Sequence, residues 1–215
     1  MNLRATNAML PNPGVLIKGA NGQETYTDLY TRMLKENIIF LGTPINDDVA
    51  NMICGQLLYL EAENPDRDIS LYINSPGGDI NALLAIYDTM QFIRPEISTL
   101  CYGQAASAAA VLLAAGTPGK RMSLPNARIL IHQPYAQSYG QATDVELAAA
   151  EIMRLKATLE EILARHTGQT AERISADTDR DNVMTAAEAK DYGLIDDVLG
   201  VREKVDNSGA ITALN

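Results

Sequence analysis

Ser107 is the first residue of this 215-residue chain whose type and surroundings suggest covalent chemistry. It follows an apolar run over 97–102 and opens an alanine-rich stretch, so it is expected where a strand turns into a helix. A serine hydroxyl becomes a nucleophile when a neighbouring base takes its proton, and N–H groups at a helix start can stabilise an oxyanion. A serine in such a stretch is more often a packing residue or a helix N-cap, so Ser107 alone does not establish catalysis. The G-x-S-x-G pattern of α/β-hydrolases is absent around it.

His132 is the candidate base. It ends a predicted strand over 128–131 and precedes Gln133-Pro134, and a histidine at a strand end can face a neighbouring loop. Histidine side chains titrate near neutral pH, which suits proton transfer, although a structural role for His132 is equally consistent with the pattern. The other histidine, His166, is expected in the last turn of a long helix, where its ring would cap carbonyl groups.

A carboxylate that orients the base would complete a catalytic triad. Asp177, Asp179 and Asp181 all lie in one short charged segment. Such a segment is also typical of a solvated cluster of Asp–Arg pairs. The spacing does not choose among the three aspartates.

Gly77-Gly78 follows a predicted strand over 69–73 and precedes a predicted helix over 80–93. Glycines allow close approach of the backbone to a ligand and expose N–H groups, but a plain tight turn would need them as well. The spacing matches neither of the glycine-rich phosphate-binding motifs. Asp79 follows directly, and because its carboxylate would oppose an oxyanion, we expect it to point away from any such site.

The elements that would position these residues alternate along the chain. Predicted strands cover 38–41, 69–73, 97–102 and 128–131. Predicted helices cover 26–36, 47–63, 80–93, 106–115, 144–166 and 186–192. This alternation predicts one α/β domain with crossover connections.

Composition excludes several classes of function. The net charge of -10 argues against nucleic acid and anionic membranes as partners. No apolar run approaches the roughly 20 residues of a membrane-spanning helix, and the first thirteen residues lack the apolar core of a signal peptide. Cys54 and Cys101 are far apart, and no His, Cys, Asp or Glu cluster has metal-ligand spacing. We therefore expect two reduced thiols, no metal and a cytoplasmic location.

Several segments, taken in order, resemble the proteolytic subunit of the Clp protease, ClpP. The specific segments are LEAENP at 60–65, YINSPGG at 72–78, IYDTMQ at 86–91, GQAAS at 103–107, IHQP at 131–134, GQATD at 140–144 and DTDRD at 177–181. The resemblance runs from about Tyr26 to Leu199. It implies a ClpP/crotonase-type fold of ββα units, with a peptidase domain over 19–202 and a protruding handle helix over about 144–166. Residues 1–18 would form an N-terminal segment that could hold a propeptide and an axial pore loop, and 203–215 a flexible tail.

The resemblance also implies the roles of the candidate residues. Ser107 would be the nucleophile of a serine endopeptidase, His132 its general base and Asp181 the orienting acid. The N–H groups of Gly78 and Ala108 would form the oxyanion hole. The chain itself would need no cofactor, and ATP would be used by a partner, an AAA+ unfoldase such as ClpX or ClpC that feeds unfolded polypeptides.

The family assembles as two stacked seven-membered rings, so the resemblance implies a homomeric or heteromeric tetradecamer. The chain looks like one paralogue of an actinobacterial two-subunit system. Four residues match positions that join the rings, namely Gln141, Asp144, Asp179 and Arg180. Eight residues match the apolar cleft that docks the unfoldase, namely Leu58, Tyr72, Phe92, Leu100, Tyr102, Met122, Leu124 and Leu199. Each of these eight would also suit ordinary core packing.

The chain departs from the family pattern next to the site. Ala108-Ala109 stands where Met-Gly is frequent, and residues 135–139 are bulkier than the usual glycine-rich segment that pairs with substrate. Two other functions stay open. The chain could be a catalytically quiet ring subunit that mainly docks the unfoldase, or an acyl-CoA enzyme of crotonase type that uses a carboxylate instead of Ser107.

Overall fold

We describe the fold from a computed structural model of the chain, which covers residues 13–18, 22–135 and 140–200. The strands are β1 Gly14–Lys18, β2 Glu24–Asp28, β3 Ile38–Leu41, β4 Ile69–Ser75, β5 Ile97–Ala106, β6 Arg121–Ser123, β7 Arg128–Ile131, β8 Asn182–Thr185 and β9 Asp197–Val198. The helices are α1 Leu29–Leu34, α2 Asp47–Glu63, α3 Ile80–Phe92, α4 Ala108–Ala114, α5 Ala142–Thr167, α6 Ala171–Asp177 and α7 Ala186–Tyr192. Strand and helix alternate from β3 to β6, which confirms the predicted α/β class.

The main sheet is parallel along the order β3-β4-β5-β6-β9. Helix α2 connects β3 to β4 and α3 connects β4 to β5, as parallel neighbours require crossover connections. The strands alternate between core and surface: Ile69, Leu71 and Ile73 are buried, whereas Tyr72 between them is only partly covered. One face of the sheet therefore carries the core and the other stays near solvent.

Strand β5 belongs to two parts of the sheet. Its first half pairs with β6 at residues 99–101, and its last three residues pair with β7 at 104–106. The β4–β5 register shifts between Ile73 and Ser75, and such irregularities bend a strand. Gly103 lies at the bend, where an added Cβ would meet Asn74 Oδ1 at 2.4 Å. The bend directs the end of β5 towards β7 and β8, which pair antiparallel.

Helix α4 lies at the centre of the core. All seven of its residues are buried, because alanines and small aliphatic residues allow the surrounding elements to pack closely against it. The largest fully buried side chains include Ile53, Leu71, Leu83 and Leu112, which come from helices and strands on this side of the sheet. The core thus fixes the residue that immediately precedes α4, Ser107.

Helix α5 protrudes from this body. Its buried residues, Leu155, Ile162 and Leu163, all lie in its second half, whereas the first turns are largely exposed. The helix ends at Gly168, whose φ of 73° is the left-handed conformation that closes many helices. In the described ranges no helix combines the length and apolarity needed to cross a membrane.

Two sequence-based element boundaries change in the structure. The helix predicted over 26–36 is wrong at its start, because Tyr26 pairs with Leu16 in the β1–β2 hairpin and Asp28 caps α1 by accepting a hydrogen bond from Thr31 N at 2.9 Å. This hairpin spans the expected domain boundary after residue 18. Strand β5 is four residues longer than predicted, since Ala105 and Ala106 join β7, and α4 is correspondingly shorter. The sequence interpretation also missed α6 and the short strands β1, β2, β6, β8 and β9.

Candidate active site

Ser107 lies at the turn from β5 into α4 with a strained backbone, at φ 56° and ψ −122°. A positive φ is uncommon for any residue other than glycine, costs on the order of 1–3 kcal/mol and concentrates at functional sites. The turn is held because Ser107 N donates to Leu130 O at 2.8 Å and Ser107 O accepts from Ala110 N at 2.9 Å. The structure therefore builds a sharp strand-to-helix turn at the serine, although the G-x-S-x-G pattern is missing.

Gly77 packs directly against this turn. Its φ is 88°, and a Cβ added there would lie 2.4 Å from Ala106 O and 3.0 Å from Ala108 N. Only a residue without a side chain fits, so the glycine loop and the serine turn are in van der Waals contact.

The backbone of Gly78 is held by Ile45. Ile45 N donates to Gly77 O, and Asp79 N donates to Ile45 O, both at 2.9 Å. These two bonds engage the carbonyl group of Gly77 and the N–H group of Asp79, so the N–H group of Gly78 itself takes no part in this pairing. Asp79 caps α3, because its carboxylate accepts a hydrogen bond from Ala82 N at 2.9 Å. The Asp79 carboxylate is thus engaged at the start of α3, although the residue itself borders the cleft that Ser107 lines.

The β7–β8 ladder brings His132 and Asp181 together. Its last pair is Ile131 with Asn182, so His132 and Asp181 are the next opposed residues. The Nδ1 atom of His132 lies 3.0 Å from Oδ1 of Asp181, which is hydrogen-bond distance. The His132 side chain is 20% exposed and that of Asp181 69% exposed. When Nδ1–H donates to the carboxylate, Nε2 is free to accept a proton.

The other two aspartates of the segment have different partners. Asp177 accepts a hydrogen bond from the Tyr192 hydroxyl at 2.9 Å, and burial together with this bond raises the pKa of the Tyr192 phenol. The carboxylate of Asp179 accepts a hydrogen bond from Gln133 Nε2 at 3.3 Å. Asp181 is the member of the cluster that contacts the histidine, a choice that the sequence pattern left open.

Two adjoining cavities meet at Ser107 and His132. The smaller, of about 30 Å³, has a mostly apolar wall from α3, α4 and α5. Its apolar lining includes Ile80, Leu83, Ala108, Val111, Leu159 and Leu163. The larger cleft, of about 620 Å³, also reaches Gly78 and Asp181. The hydroxyl of Ser107, the imidazole of His132 and the backbone of Gly78 thus border one cleft, and an apolar pocket adjoins it.

Tyr135 lies on the solvent side of the histidine. Its ring is 84% exposed and meets the His132 imidazole edge-on, with ring centroids 6.1 Å apart. In the part of the chain that the structure describes, no hydrogen bond joins Ser107 Oγ to the His132 ring. Ser107 and His132 therefore border the same cleft without direct bonding.

Comparison with known proteins identifies the family. The family model described as Clp protease matches residues 21–202, which is most of the chain. The chain belongs to the Clp protease family. One curated relative, "ATP-dependent Clp protease proteolytic subunit 3" of Frankia casuarinae, is 58% identical over 91% of this chain and 90% of its own length. A second, "ATP-dependent Clp protease proteolytic subunit 2" of the same organism, is 59% identical over 89% and 88%.

This membership confirms the predicted class of enzyme, a serine peptidase of Clp type, and the predicted fold. Among the described residues, no group of three or more His, Cys, Asp and Glu side chains is placed to hold a metal ion. His166 does not cap carbonyl groups with its ring as expected. Its Nε2 lies 3.0 Å from the Tyr87 hydroxyl, and burial lowers the pKa of the His166 imidazole.

The residues matched to ring contacts form two separate pairs in one subunit. Gln141 N donates to Asp144 Oδ2 at 3.3 Å where α5 begins. Arg180 is 86% exposed and donates to Asp179 O at 3.1 Å in the loop between α6 and β8. Within the described residues no hydrogen bond or ion pair links the first pair to the second.

The residues matched to the docking cleft all lie at the surface. None of the eight is buried, so core packing does not account for them. Tyr72, Leu100 and Met122 are direct neighbours across β4, β5 and β6 on the face of the sheet that is opposite the core. Phe92 is 80% exposed and Leu58 46% exposed, on helices that pack on the core side.

The sequence interpretation missed residues that extend this apolar face. The rings of Tyr30, Phe40, Tyr72 and Tyr102 form a continuous row with centroid separations of 5.7, 5.4 and 6.3 Å. The aromatic residue types were visible, but their alignment depends on strand register. The sequence also gave no signal for the hydrogen bonds that Gln133 donates to Asp179.

Proposed function

We propose that the chain is the catalytic subunit of a compartmentalised serine endopeptidase, with Ser107 as nucleophile, His132 as general base and Asp181 as orienting acid. The 3.0 Å contact between His132 and Asp181, in the cleft that Ser107 borders, carries this proposal. The strained turn at Ser107 supports it, because strain of this kind is retained where it exposes a reacting group.

The proposed reaction uses protein groups and water. Ser107 Oγ attacks the carbonyl carbon of the peptide bond while His132 Nε2 takes the hydroxyl proton. The N–H groups of Gly78 and Ala108, on the two segments that meet at Gly77, stabilise the tetrahedral oxyanion. The imidazolium then donates its proton to the leaving amine, and water hydrolyses the acyl-serine by the same proton path in reverse.

The apolar side pocket defines the proposed substrate preference. It opens beside Ser107, and its wall includes the aliphatic side chains of Val111 and Leu159. A residue whose carbonyl carbon reaches Ser107 would place its side chain there. We expect cleavage after small or medium apolar residues, because burying a charge in such a pocket without a partner is costly.

We also propose assembly into two stacked seven-membered rings, homomeric or with a paralogue, that receive unfolded polypeptides from an AAA+ unfoldase which uses ATP. The exposed apolar side chains Leu147 and Met153 on α5 support a partner surface along this helix. The aromatic row supports docking of apolar side chains of the unfoldase. Leu58 and Phe92 lie on the other side of the sheet, so a second copy would have to supply them to complete one cleft. The free thiols of Cys54 and Cys101 suit the reducing cytoplasm, where we place the protein.

A fluorophosphonate probe tests the catalytic assignment. The probe should label Ser107 in the assembled particle, and Ser107→Ala should abolish both labelling and peptide hydrolysis. Native mass spectrometry of the chain alone, and then with any paralogue, should show about fourteen subunits in the active species. Unlabelled Ser107 in every assembly would favour a docking-only subunit, and full activity of Ser107→Ala would favour an acyl-CoA enzyme of crotonase type.

A further inference from the structure

Gln133 contacts the segment that carries Asp181 through its backbone and its side chain. Its backbone N–H donates to Thr178 O at 2.6 Å. Its side-chain Nε2 donates to Asp179 O at 2.9 Å and to Asp179 Oδ1 at 3.3 Å. Gln133, which directly follows the proposed base, thus holds the two residues 178 and 179 that lie just before the proposed acid in the chain.

The strand register explains why such a contact is needed. If the β7–β8 ladder continued beyond the opposed pair His132 and Asp181, Gln133 would face Arg180. Gln133 instead bonds to residues 178 and 179, so the ladder stops and Arg180 projects into solvent at 86% exposure. The β8 pairing restrains Asp181 from one side only, and the Gln133 bonds restrain it from the other.

The restraint is anchored in the core. Thr178 is 2% exposed, and its backbone N–H and its hydroxyl both donate to Ile174 O, at 2.9 and 2.7 Å. Ile174 is itself fully buried in α6. Gln133 therefore ties the histidine-bearing segment to a rigid point, whereas the Asp181 side chain, at 69% exposure, receives little support from packing.

We propose that Gln133 is a positioning residue, which sets the His132–Asp181 geometry by clamping residues 178–179 to the end of β7. The inference rests on the proposed function of Ser107, His132 and Asp181. On this proposal, fast acylation requires a side-chain amide donor at position 133, whereas folding of the chain does not require one.

Gln133→Glu tests the proposal, since it keeps the shape and replaces the amide donor by a carboxylate that faces Asp179. In assembled particles we expect kcat for a short peptide to fall about 10- to 100-fold with KM nearly unchanged, because misplacement of a catalytic group by about 1 Å costs about 10²-fold. The rate of fluorophosphonate labelling should fall in parallel. Adding Asp179→Asn removes the repulsion between the two carboxylates and supplies an amide donor to the new one, but the main-chain carbonyl of residue 179 stays without a donor, so kcat should recover only in part.

Gln91→Glu is the matched control, because Gln91 Nε2 also clamps a backbone carbonyl, Ala115 O at 3.1 Å, but lies away from the cleft. It should leave kcat and labelling unchanged. If Gln133→Glu does not assemble, Gln133→Met, which lacks both donor and charge, should show the same loss of kcat. Wild-type kcat in either variant, with Asp181→Asn inactive, would overturn the positioning role alone. Full activity of Asp181→Asn as well would overturn the proposed triad.

Discussion

Replacing Asp181 by Asn tests the proposal that Asp181 is the carboxylate that orients His132. The substitution keeps the size of the side chain and removes its charge, while the amide can turn its NH₂ group towards His132 Nδ1 and stabilise the wrong tautomer. During acylation the imidazole becomes a cation. For charges about 4 Å apart and an effective dielectric of about 20, the lost attraction is about 4 kcal/mol. An effective dielectric of about 20, the value typical of pairs near a protein surface, applies because the Asp181 side chain is 69% exposed in the subunit.

A barrier higher by about 4 kcal/mol corresponds to a loss of about 10³-fold in kcat. The assay is hydrolysis of a short fluorogenic peptide with an apolar residue before the scissile bond, measured on particles of verified subunit number. The rate of fluorophosphonate labelling of Ser107 should fall by a similar factor, since it requires the same base.

Asp177→Asn is the matched control in the same segment. Asp177 accepts a hydrogen bond from Tyr192, and the amide oxygen of Asn can still accept it, so this variant should lose at most about 1 kcal/mol of unfolding free energy and keep its kcat. The reasoning is refuted if Asp181→Asn retains more than a tenth of wild-type kcat in intact particles, or if Asp177→Asn loses as much activity as Asp181→Asn.

Three further outcomes are expected. Gly77→Ala should lower kcat about 10²-fold, because its Cβ would meet Ala106 O at 2.4 Å and displace the Ser107 turn, and peptide hydrolysis measures this. Asp196 pairs with the nearly buried Arg121, and hydrogen bonding to that guanidinium lowers the pKa of the Asp196 carboxyl. The stability that this pair contributes is present above the unfolded-state pKa of about 3.9 and is lost as pH falls through the folded-state pKa. The free energy of unfolding in urea, measured from about pH 5 to about pH 3, should therefore depend less on pH in Asp196→Asn than in the wild type. Tyr72→Ala should reduce unfoldase-driven protein degradation at least tenfold and leave peptide hydrolysis unchanged, as expected when an aromatic anchor of an interface is truncated.

Two of these outcomes have a control variant in the chain. Gly119→Ala introduces the same kind of backbone strain, at φ 85°, into open space, so it should spare kcat. Equal loss in both glycine variants would show that backbone strain rather than contact with the serine turn matters. Tyr59→Ala removes a half-exposed tyrosine from α2 and should not affect the unfoldase. An unchanged pH dependence in Asp196→Asn would exclude its pair with Arg121 as a source of acid sensitivity.

The sequence by itself determined the residue types that chemistry requires and the elements that carry them. Helices α2 and α7 and strands β3 and β7 have the predicted bounds, because apolar periodicity and local stop signals such as Asn64-Pro65 act over a few residues. The ordered motifs around Ser107 and His132 indicated the family, which the comparisons confirm.

The residue spacing did not choose among the three aspartates; the family resemblance implied Asp181, and only the tertiary structure shows its contact with the histidine. Their local sequence contexts are equivalent, and the choice depends on the antiparallel register that places residue 181 opposite residue 132, 49 positions away. The positive φ of Ser107 and the close approach of Gly77 are likewise set by neighbours from distant parts of the chain. Contacts of this kind follow from the packing of whole elements, which a pattern of adjacent residues does not encode.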